Sequence, residues 1–237
     1  IEEVKPVSKP TLFSTTTTVF PTYKHDENSY DDFKDQVLLP HKMSTFGPAL
    51  AVGDLNKDGL DDYFIGGTAT FSGKVFLQTN AGFVEKKIQA LEDDKFSEDT
   101  GAVIFDADND GDNDLYVVSG GYEFLINDPK LQDRLYINNG KGDFSKAPKA
   151  ALPVMITSGS KVYPLDFDKD GKQDLLVLGR QVPGQYPSPA TTYLLHNVST
   201  AQNAKFEVSK KAPAAFKNLG MATSAVISDY NSDGLQD

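Results

Sequence analysis

The stretch DADNDGDND at residues 106–114 belongs to a nine-residue signature that this chain contains four times. The other copies are DLNKDGLDD at 54–62, DFDKDGKQD at 166–174 and DYNSDGLQD at 229–237. All of them follow the pattern D-x-[DN]-x-D-G-x-x-D, and such repetition is typical of a protein built from one structural unit. The same local structure is therefore expected in each copy.

Oxygen-bearing side chains occupy alternate positions of the signature, an arrangement that suits a hard cation. Calcium takes about six to eight oxygen ligands at about 2.3–2.6 Å, and a sharply turning loop supplies them from alternate residues. The glycine at position 6 provides the turn, because glycine enters positive φ without steric cost. We therefore predict Ca²⁺ as the cofactor, bound by side chains at positions 1, 3, 5 and 9 and by the carbonyl of position 7. The predicted ligand sets are Asp54, Asn56, Asp58, the Leu60 carbonyl and Asp62; Asp106, Asp108, Asp110, the Asp112 carbonyl and Asp114; Asp166, Asp168, Asp170, the Lys172 carbonyl and Asp174; and Asp229, Asn231, Asp233, the Leu235 carbonyl and Asp237.

An EF-hand loop opens with the same residues but closes with a bidentate glutamate at position 12, between two helices. Position 12 is Ile65, Val117 or Val177 in the first three copies, so the EF-hand is excluded. Apolar runs precede the signatures (ALAVGD, GAVIFD, KVYPLD and SAVISD), and β-rich runs follow the first three (DYFIGG, DLYVVSGG and DLLVLGR). The predicted unit is strand, calcium loop, strand.

Ordinary hairpin turns are the alternative to a metal site, since Asp, Asn and Gly dominate turns that bind nothing. A single copy of the signature would fit either interpretation. Four copies in register each bring carboxylates close together, and like charges at short range repel unless they are neutralised. The array therefore favours a bound cation.

Composition excludes several classes of function. The 237 residues are 39% hydrophobic, enough for a sizeable core, and the net charge of −11 argues against nucleic acid as a partner. The absence of cysteine excludes disulfides, zinc–thiolate sites and thiol catalysis. Calcium loops of moderate affinity suit places rich in calcium, so we expect an extracellular, periplasmic or cell-surface protein.

The ends of the sequence favour a piece of a longer protein, because Ile1 is not an initiator methionine and Asp237 ends a signature. The sequence contains no signal peptide and no apolar run long enough to predict a transmembrane segment. The remaining blades of the parent chain would then be partners of this piece.

The signatures start at 54, 106, 166 and 229, so the repeat periods are 52, 60 and 63 residues. These lengths suit a four-stranded propeller blade with loop insertions. Each period carries a second hairpin: KVFLQTNAGFVEKK at 74–87, DRLYINNGKGDFSKAP at 133–148 and TTYLLHNVSTAQNAKFEVSKKAP at 191–213. We therefore predict an all-β fold, a partial β-propeller of about three to four blades of four antiparallel strands.

The predicted repeats cover 47–98, 99–158, 159–220 and, in part, 221–237, after a lead-in segment at 1–46. In the lead-in, TTTTVF at 15–20 is a candidate outer strand of a preceding blade, and YKHDENSYDDF at 23–33 is predicted to be a surface loop. Three periods and a fraction cannot close a ring, so we expect an open edge.

The amino-acid sequence, both within and between the signatures, resembles the FG-GAP/VCBS repeats of calcium-binding β-propellers, as in integrin α-subunits and bacterial surface proteins. It is similar above all to VCBS-repeat, ASPIC/UnbV-type proteins of Bacteroidota, which are relatives of cartilage acidic protein. The resemblance covers roughly residues 23–237 and is carried by LLPHKMSTFGPALAVGDLNKDGLDDYFIGG at 38–67, FDADNDGDNDLYVVSGG at 105–121, QDRLYINNGKGDF at 132–144 and NLGMATSAVISDYNSDG at 218–234. It implies calcium in the loop that joins the first two strands of each blade. It implies little about a ligand, because such propellers are reused for adhesion, glycan binding and catalysis.

Two departures from the family pattern affect the metal sites. Asn56 and Asn231 stand where Asp is common, which lowers the charge at the first and fourth sites. No strand follows Asp237 in this sequence to hold the end of the fourth loop.

A ligand, if one binds, is expected on the face opposite the calcium loops. Strands one and two are antiparallel, so the connection that leaves strand two emerges at the other end of the blade. This places 66–73, 119–133 and 179–190 on one rim, where the candidate contacts are Tyr122, Glu123, Arg180 and Tyr186. The alternative is that these loops are insertions that only cover the propeller face.

We interpret the chain as a non-catalytic calcium-binding module that binds an unknown protein or glycan in adhesion or recognition. The alternative is a carbohydrate-active enzyme, a polysaccharide lyase or hydrolase, which would need a Tyr or His base beside an Arg or calcium. His25, His41 and His196 lie at no triad or zinc spacing, so we predict ordinary surface or packing roles for them.

Overall fold

Three four-stranded antiparallel sheets make up the fold of the computed structural model, which describes residues 23–201, 203–234 and 236. Blade 1 contains β1 (Leu50–Gly53), β2 (Asp62–Ile65), β3 (Lys74–Thr79) and β4 (Gly82–Lys86). Blade 2 contains β5 (Glu98–Phe105), β6 (Asp114–Gly120), β7 (Arg134–Asn138) and β8 (Phe144–Lys146). Blade 3 contains β9 (Ser158–Leu165), β10 (Asp174–Gln181), β11 (Tyr193–Asn197) and β12 (Phe206–Val208). Between the strands lie a short helix, α1 (Gln89–Asp93), and 3₁₀ turns at Pro129–Leu131, Lys149–Ala151 and Ala214–Asn218.

Strand order within each blade follows the chain, so every strand pairs with its sequence neighbour. In all three blades the last residue of the first strand pairs with the aspartate that closes the signature, as in Phe105 and Asp114. The predicted all-β fold, with strand, loop, strand and outer hairpin in each period, is confirmed for the first three signatures.

The fourth signature differs, because no strand is assigned to residues 224–229 in the part of the chain that the structure describes. The strand predicted at SAVISD is therefore not formed in the part of the chain that the structure describes. A β-strand needs a hydrogen-bonded neighbour, and none pairs with this segment there. The candidate strand at 15–20 lies outside the described residues.

The blades stack face to face, with apolar clusters filling both interfaces. Phe64 and Val75 of blade 1 pack with Leu115 and Tyr136 of blade 2. A second cluster joins blades 2 and 3 in the same way. The first strands approach closely at Gly101, where a Cβ atom would lie 2.6 Å from the Ser160 carbonyl oxygen. The stacking is consistent with consecutive β-propeller blades, and the described residues form no closed ring.

The outer face of blade 1 is apolar and uncovered in the described residues. Leu50 is 62% exposed and Val52 is 57% exposed. By register, these two positions correspond to Ala102 and Ile104 of blade 2, which pack against blade 1. The outer face therefore has the composition of a blade interface.

The described part of the lead-in segment, residues 23–46, has no strand and contacts the end of the blades opposite the signatures. Asp32 is buried and accepts hydrogen bonds from the backbone N–H groups of Met43 (2.7 Å) and Ser44 (2.8 Å). Leu39 and Met43 pack on Tyr122 of blade 2. The predicted loop at 23–33 is present, but it is anchored by a buried carboxylate instead of lying wholly on the surface.

Candidate metal loops and the opposite face

The aspartate at position 1 folds each signature around its own carboxylate. In the second loop, Asp106 accepts hydrogen bonds from the N–H groups of Asp110 (3.2 Å) and Gly111 (3.0 Å). The same pair of bonds reaches Asp54, Asp166 and Asp229 in the other copies. The four signatures therefore share one local fold, as their common pattern predicts.

Two positions of each loop lie in the left-handed backbone region. The glycine at position 6 has a φ between 80° and 86° in every copy, which confirms the predicted turn. Position 4 is left-handed as well, at Lys57, Asn109, Lys169 and Ser232. Non-glycine residues rarely adopt this conformation. This conformation was not predictable, because Lys, Asn and Ser share no side-chain property that would mark the position.

The closing aspartates of the first three loops are buried, and each joins its own loop to the third strand of its blade. Asp114 accepts hydrogen bonds from the N–H of Ala107 (2.9 Å) in its own loop and from the N–H of Asn138 (2.8 Å) in β7. Asp62 and Asp174 are held in the same way. Burial raises the pKa of Asp114 to about 7, although the two backbone bonds oppose that rise. A cation beside this carboxylate would favour its ionised form.

The second loop brings three carboxylates close together. Oxygen atoms of Asp106, Asp108 and Asp114 all lie within 4.8 Å of one another. Asp108 is only 1% exposed, and its Oδ1 is buried without a hydrogen-bond partner among the described residues. Burial, and then the charges of Asp110 and Asp106, raise the pKa of Asp108. Buried polar atoms are nearly always paired, so an unpaired carboxylate oxygen in a group of carboxylates fits a metal ligand.

The third loop repeats this arrangement, and the first loop does not. Asp166, Asp168 and Asp174 also bring oxygen atoms within 4.8 Å of one another, and Asp168 Oδ1 is buried and unpaired among the described residues. In the first loop, Asn56 Nδ2 donates to Asp58 Oδ2 at 3.1 Å, so two of the predicted ligands are already paired.

The remaining predicted ligands are placed as follows. The N–H groups of Leu60, Asp112 and Lys172 each donate to the aspartate two residues earlier, and the ligand role of their carbonyls stays a prediction. In the fourth loop, Asn231 Oδ1 accepts from the Asp233 N–H at 2.9 Å. Leu235 and Asp237 lie outside the described residues.

Two buried asparagines connect the second loop to the first and the third loop to the second. The sequence analysis did not predict them. Asn138 Nδ2 donates to the carbonyl oxygens of Leu55 (2.7 Å) in the first loop and Asn113 (2.8 Å) in the second. Asn197 Nδ2 reaches Ala107 (3.1 Å) and Gln173 (2.9 Å) in the next pair of loops. The only sequence signal was an asparagine at the same place in RLYIN at 134–138 and YLLHN at 193–197.

His196 lies beside the third loop, and its predicted surface or packing role stays a prediction. Its Nε2 is 3.2 Å from Asp168 Oδ2, and ligand atoms of His196, Asp168 and Asp170 all lie within 4.8 Å of one another. The two acidic residues are distant from His196 in sequence. Only the pairing of β10 with β11 brings them together.

On the face opposite the loops, the lead-in segment engages most of the predicted ligand contacts. Tyr122 is buried, and its hydroxyl contacts Gln36 Oε1, which also accepts the Tyr186 N–H at 3.3 Å. Glu123 accepts a hydrogen bond from Asn28 Nδ2 at 3.1 Å. Through Gln36, the loops after β6 and β10 therefore lie on one rim.

The other two predicted contacts differ in accessibility. Arg180 donates to the Met221 carbonyl at 3.1 Å, and its guanidinium carbon lies 4.8 Å from the centre of the Phe46 ring. Tyr186 is 37% exposed. Of the four candidates, Tyr186 is therefore the most open to a ligand.

Two buried acidic groups lie at this rim. Glu98 is 0% exposed, and its Oε2 accepts the Ala69 N–H at 2.8 Å, while its Oε1 has no partner among the described residues. Asp99 accepts from the Gly67 N–H at 2.7 Å and from Arg134 Nη2 at 2.6 Å. Burial, and then the charge of Glu123, raise the pKa of Glu98 to about 8.

Comparison with known proteins supports the repeat assignment. Residues 106–177, from the second loop into β10, match the model of the FG-GAP-like repeat family. A stretch of 152 residues is 30% identical to integrin alpha-4 of Xenopus laevis, and it covers 56% of this chain and 14% of that protein. The chain thus spans a small part of this relative, and its residues 106–177 are similar to FG-GAP-like repeats.

No helix in the described part of the chain is long and apolar enough to cross a membrane.

Proposed function

We propose that this chain is a calcium-binding, propeller-type module of an extracellular or cell-surface protein, and that it binds a ligand without catalysis. The observation that carries the calcium assignment is Asp108, a buried carboxylate with an unpaired oxygen, set between Asp106 and Asp114. The FG-GAP-like match over the same loop supports it independently. The integrin alpha-like similarity supports an adhesion or recognition role and an extracellular location.

Calcium in these loops would stabilise the fold and would take no part in a reaction. Each closing aspartate already joins its loop to the third strand, so a cation bound there would hold three strands together. A site with a dissociation constant near 0.1 mM, in about 1 mM free calcium, would stabilise the fold by about 1.4 kcal/mol through mass action. The role we propose for calcium is therefore structural.

Asp108→Ala and Asp168→Ala should each lose one calcium site in isothermal titration of the chelator-treated chain. Each substitution removes a carboxylate that contributes an unpaired buried oxygen to its loop. Asp61→Ala is the matched control, because Asp61 is an exposed aspartate of the first loop outside the predicted ligand set. Unchanged stoichiometry in both test variants, or an equal loss in the control, would contradict the assignment.

The proposed ligand is a protein or glycan that contacts the rim opposite the loops. Tyr186 is the exposed aromatic group there, and aromatic faces suit both kinds of partner. Arg180 is a second candidate, although its guanidinium already contacts Phe46 and Met221. The lead-in segment would then form part of the binding surface, because Gln36 contacts Tyr122 and Tyr186 together.

Tyr186→Ala should weaken binding of any ligand found by glycan and protein screens of the full-length protein, by about tenfold or more if Tyr186 is a central contact. Arg180→Ala should weaken it as well. Val208→Ala, an exposed substitution on the outer strand β12, should leave binding unchanged. If both test variants bind the ligand as well as wild type does, the ligand uses another surface.

A carbohydrate-active enzyme remains the second candidate, and its requirement is a base beside a cationic group. His41 and Arg180 both approach the Phe46 ring, at 5.6 Å and 4.8 Å from its centre. Within the described part of the chain, no hydrogen bond joins the His41 imidazole to a tyrosine or an arginine. The FG-GAP-like match favours the non-catalytic module.

A further inference from the structure

The third loop differs from the first two in the side chain that the third strand places beside it. The register pairs Leu175 with Leu195, Leu115 with Tyr136 and Tyr63 with Phe76. The next residue along each third strand therefore occupies the same position in all three blades. That position holds Leu77 in blade 1, Ile137 in blade 2 and His196 in blade 3. Blade 3 thus has an imidazole where the other blades have aliphatic groups.

The imidazole of His196 points at the loop carboxylates. Its Nε2 lies 3.2 Å from Asp168 Oδ2, and the Phe167 ring meets the imidazole edge-on at 5.7 Å between centres. Ligand atoms of Asp168, Asp170 and His196 all lie within 4.8 Å of one another. The other oxygen of Asp168, Oδ1, is the one that is buried and unpaired among the described residues. Nitrogen and oxygen donors therefore lie close together, and the His196 side chain beside them is 34% exposed.

This donor set has the chemistry of a transition-metal site. Calcium and magnesium select oxygen ligands, whereas imidazole suits zinc, copper, nickel and iron. Zinc binds His nitrogen and carboxylate oxygen together at about 2.0–2.2 Å, and three protein ligands leave room for water or another group. Leu77 and Ile137 offer no donor atom, so the first two loops keep only oxygen donors.

We propose that the third loop binds a borderline transition metal of the zinc class through Asp168, Asp170 and His196. The inference rests on the proposed function in one respect, since Asp168 and Asp170 would also serve the calcium site of that loop. Zinc and calcium would then compete for the third loop. The second loop would select calcium alone.

The test is titration of the chelator-treated chain with Zn²⁺ and, separately, with Ca²⁺, using His196→Ile as the test variant. Isoleucine is the residue that blade 2 carries at this position, so the strand should tolerate it. His41→Ile is the matched control, because it removes an exposed histidine that packs on Phe46 of the lead-in segment and not beside the third loop. Wild type and His41→Ile should bind one Zn²⁺, and His196→Ile should lose zinc affinity by about tenfold or more, the loss that even an outer-shell partner produces. Calcium stoichiometry should be equal in all three, which also shows that the variant loop is folded.

The outcomes separate this proposal from the calcium proposal. Equal zinc affinity in wild type and His196→Ile would overturn the transition-metal site, and so would zinc binding that survives Asp168→Ala. Zinc binding lost in His196→Ile, in a chain that takes up no calcium, would support the transition-metal site and overturn the calcium assignment. Cobalt(II) used as a probe should give absorption bands that His196→Ile removes, which reports imidazole ligation directly.

Discussion

Glu98→Gln should make the fold less sensitive to alkali, with a gain in unfolding free energy of up to about 5 kcal/mol above pH 8. Glu98 is fully buried, and its folded pKa of about 8 compares with an ordinary value of 4.5. Burial is the main cause, and the charges of Glu123, Glu27 and Asp99 add to it against the Ala69 hydrogen bond. Because the folded state holds a proton that the unfolded chain releases, this stability is present below pH 4.5 and is lost as the pH rises through 8.

Urea unfolding of both proteins at pH 5, 7 and 9 measures the effect. Other buried carboxyl groups, such as Asp114, also have a raised pKa, but they are common to wild type and variant, so the difference between the two curves isolates Glu98. Glu85→Gln, at a solvent-exposed glutamate of β4, should follow wild type at every pH. Parallel curves for wild type and Glu98→Gln would show that Glu98 is ionised in the fold at neutral pH.

Asp99→Asn should destabilise the fold by about 3–5 kcal/mol, the cost of leaving one buried charge without its partner. Asp99 and Arg134 are both buried, 2.6 Å apart. Burial disfavours the charged guanidinium, yet the Asp99 carboxylate keeps the pKa of Arg134 above its usual range. The substitution preserves side-chain volume, so the loss would come from charge and not from a cavity.

Chemical denaturation at neutral pH measures this loss of stability. Two further variants serve as an exposed-pair control and as a variant without either buried charge. Glu85→Ala breaks the exposed Lys74–Glu85 pair and should cost only about 0–1 kcal/mol. Asp99→Asn combined with Arg134→Met removes both buried charges and should recover much of the stability lost by the single variant. If Asp99→Asn costs no more than Glu85→Ala, the buried pair contributes little to the rim.

The strands and the candidate metal loops were predictable because each depends on residues that are close together in the sequence. Alternating apolar residues on both sides of a glycine turn specify a hairpin without reference to the rest of the chain. The Asp106, Asp108 and Asp114 group follows from the spacing of one signature. The same reasoning extended to SAVISD failed, since a strand also needs a neighbour, which the sequence does not supply there.

Contacts between distant segments were not predictable from the sequence. His196 reaches Asp168 only because β11 pairs with β10, and Asn138 reaches Leu55 only because two blades stack. The composition of the lead-in segment predicts a polar surface loop. Asp32 is nevertheless buried there and accepts hydrogen bonds from the backbone N–H groups of Met43 and Ser44. Single-sequence patterns carry no signal for such long-range pairing.

The asparagine links between loops make the row of blades a chain of nearest neighbours. Asn138 ties the second loop to the first, and Asn197 ties the third to the second, while no described contact of either residue skips a blade. In such an array, total stability is close to a sum of blade and interface contributions, and damage in one unit spreads mainly to the next. Order should therefore be cooperative along the row, so that a loop held rigid at one blade lowers the entropic cost of ordering the loop beside it.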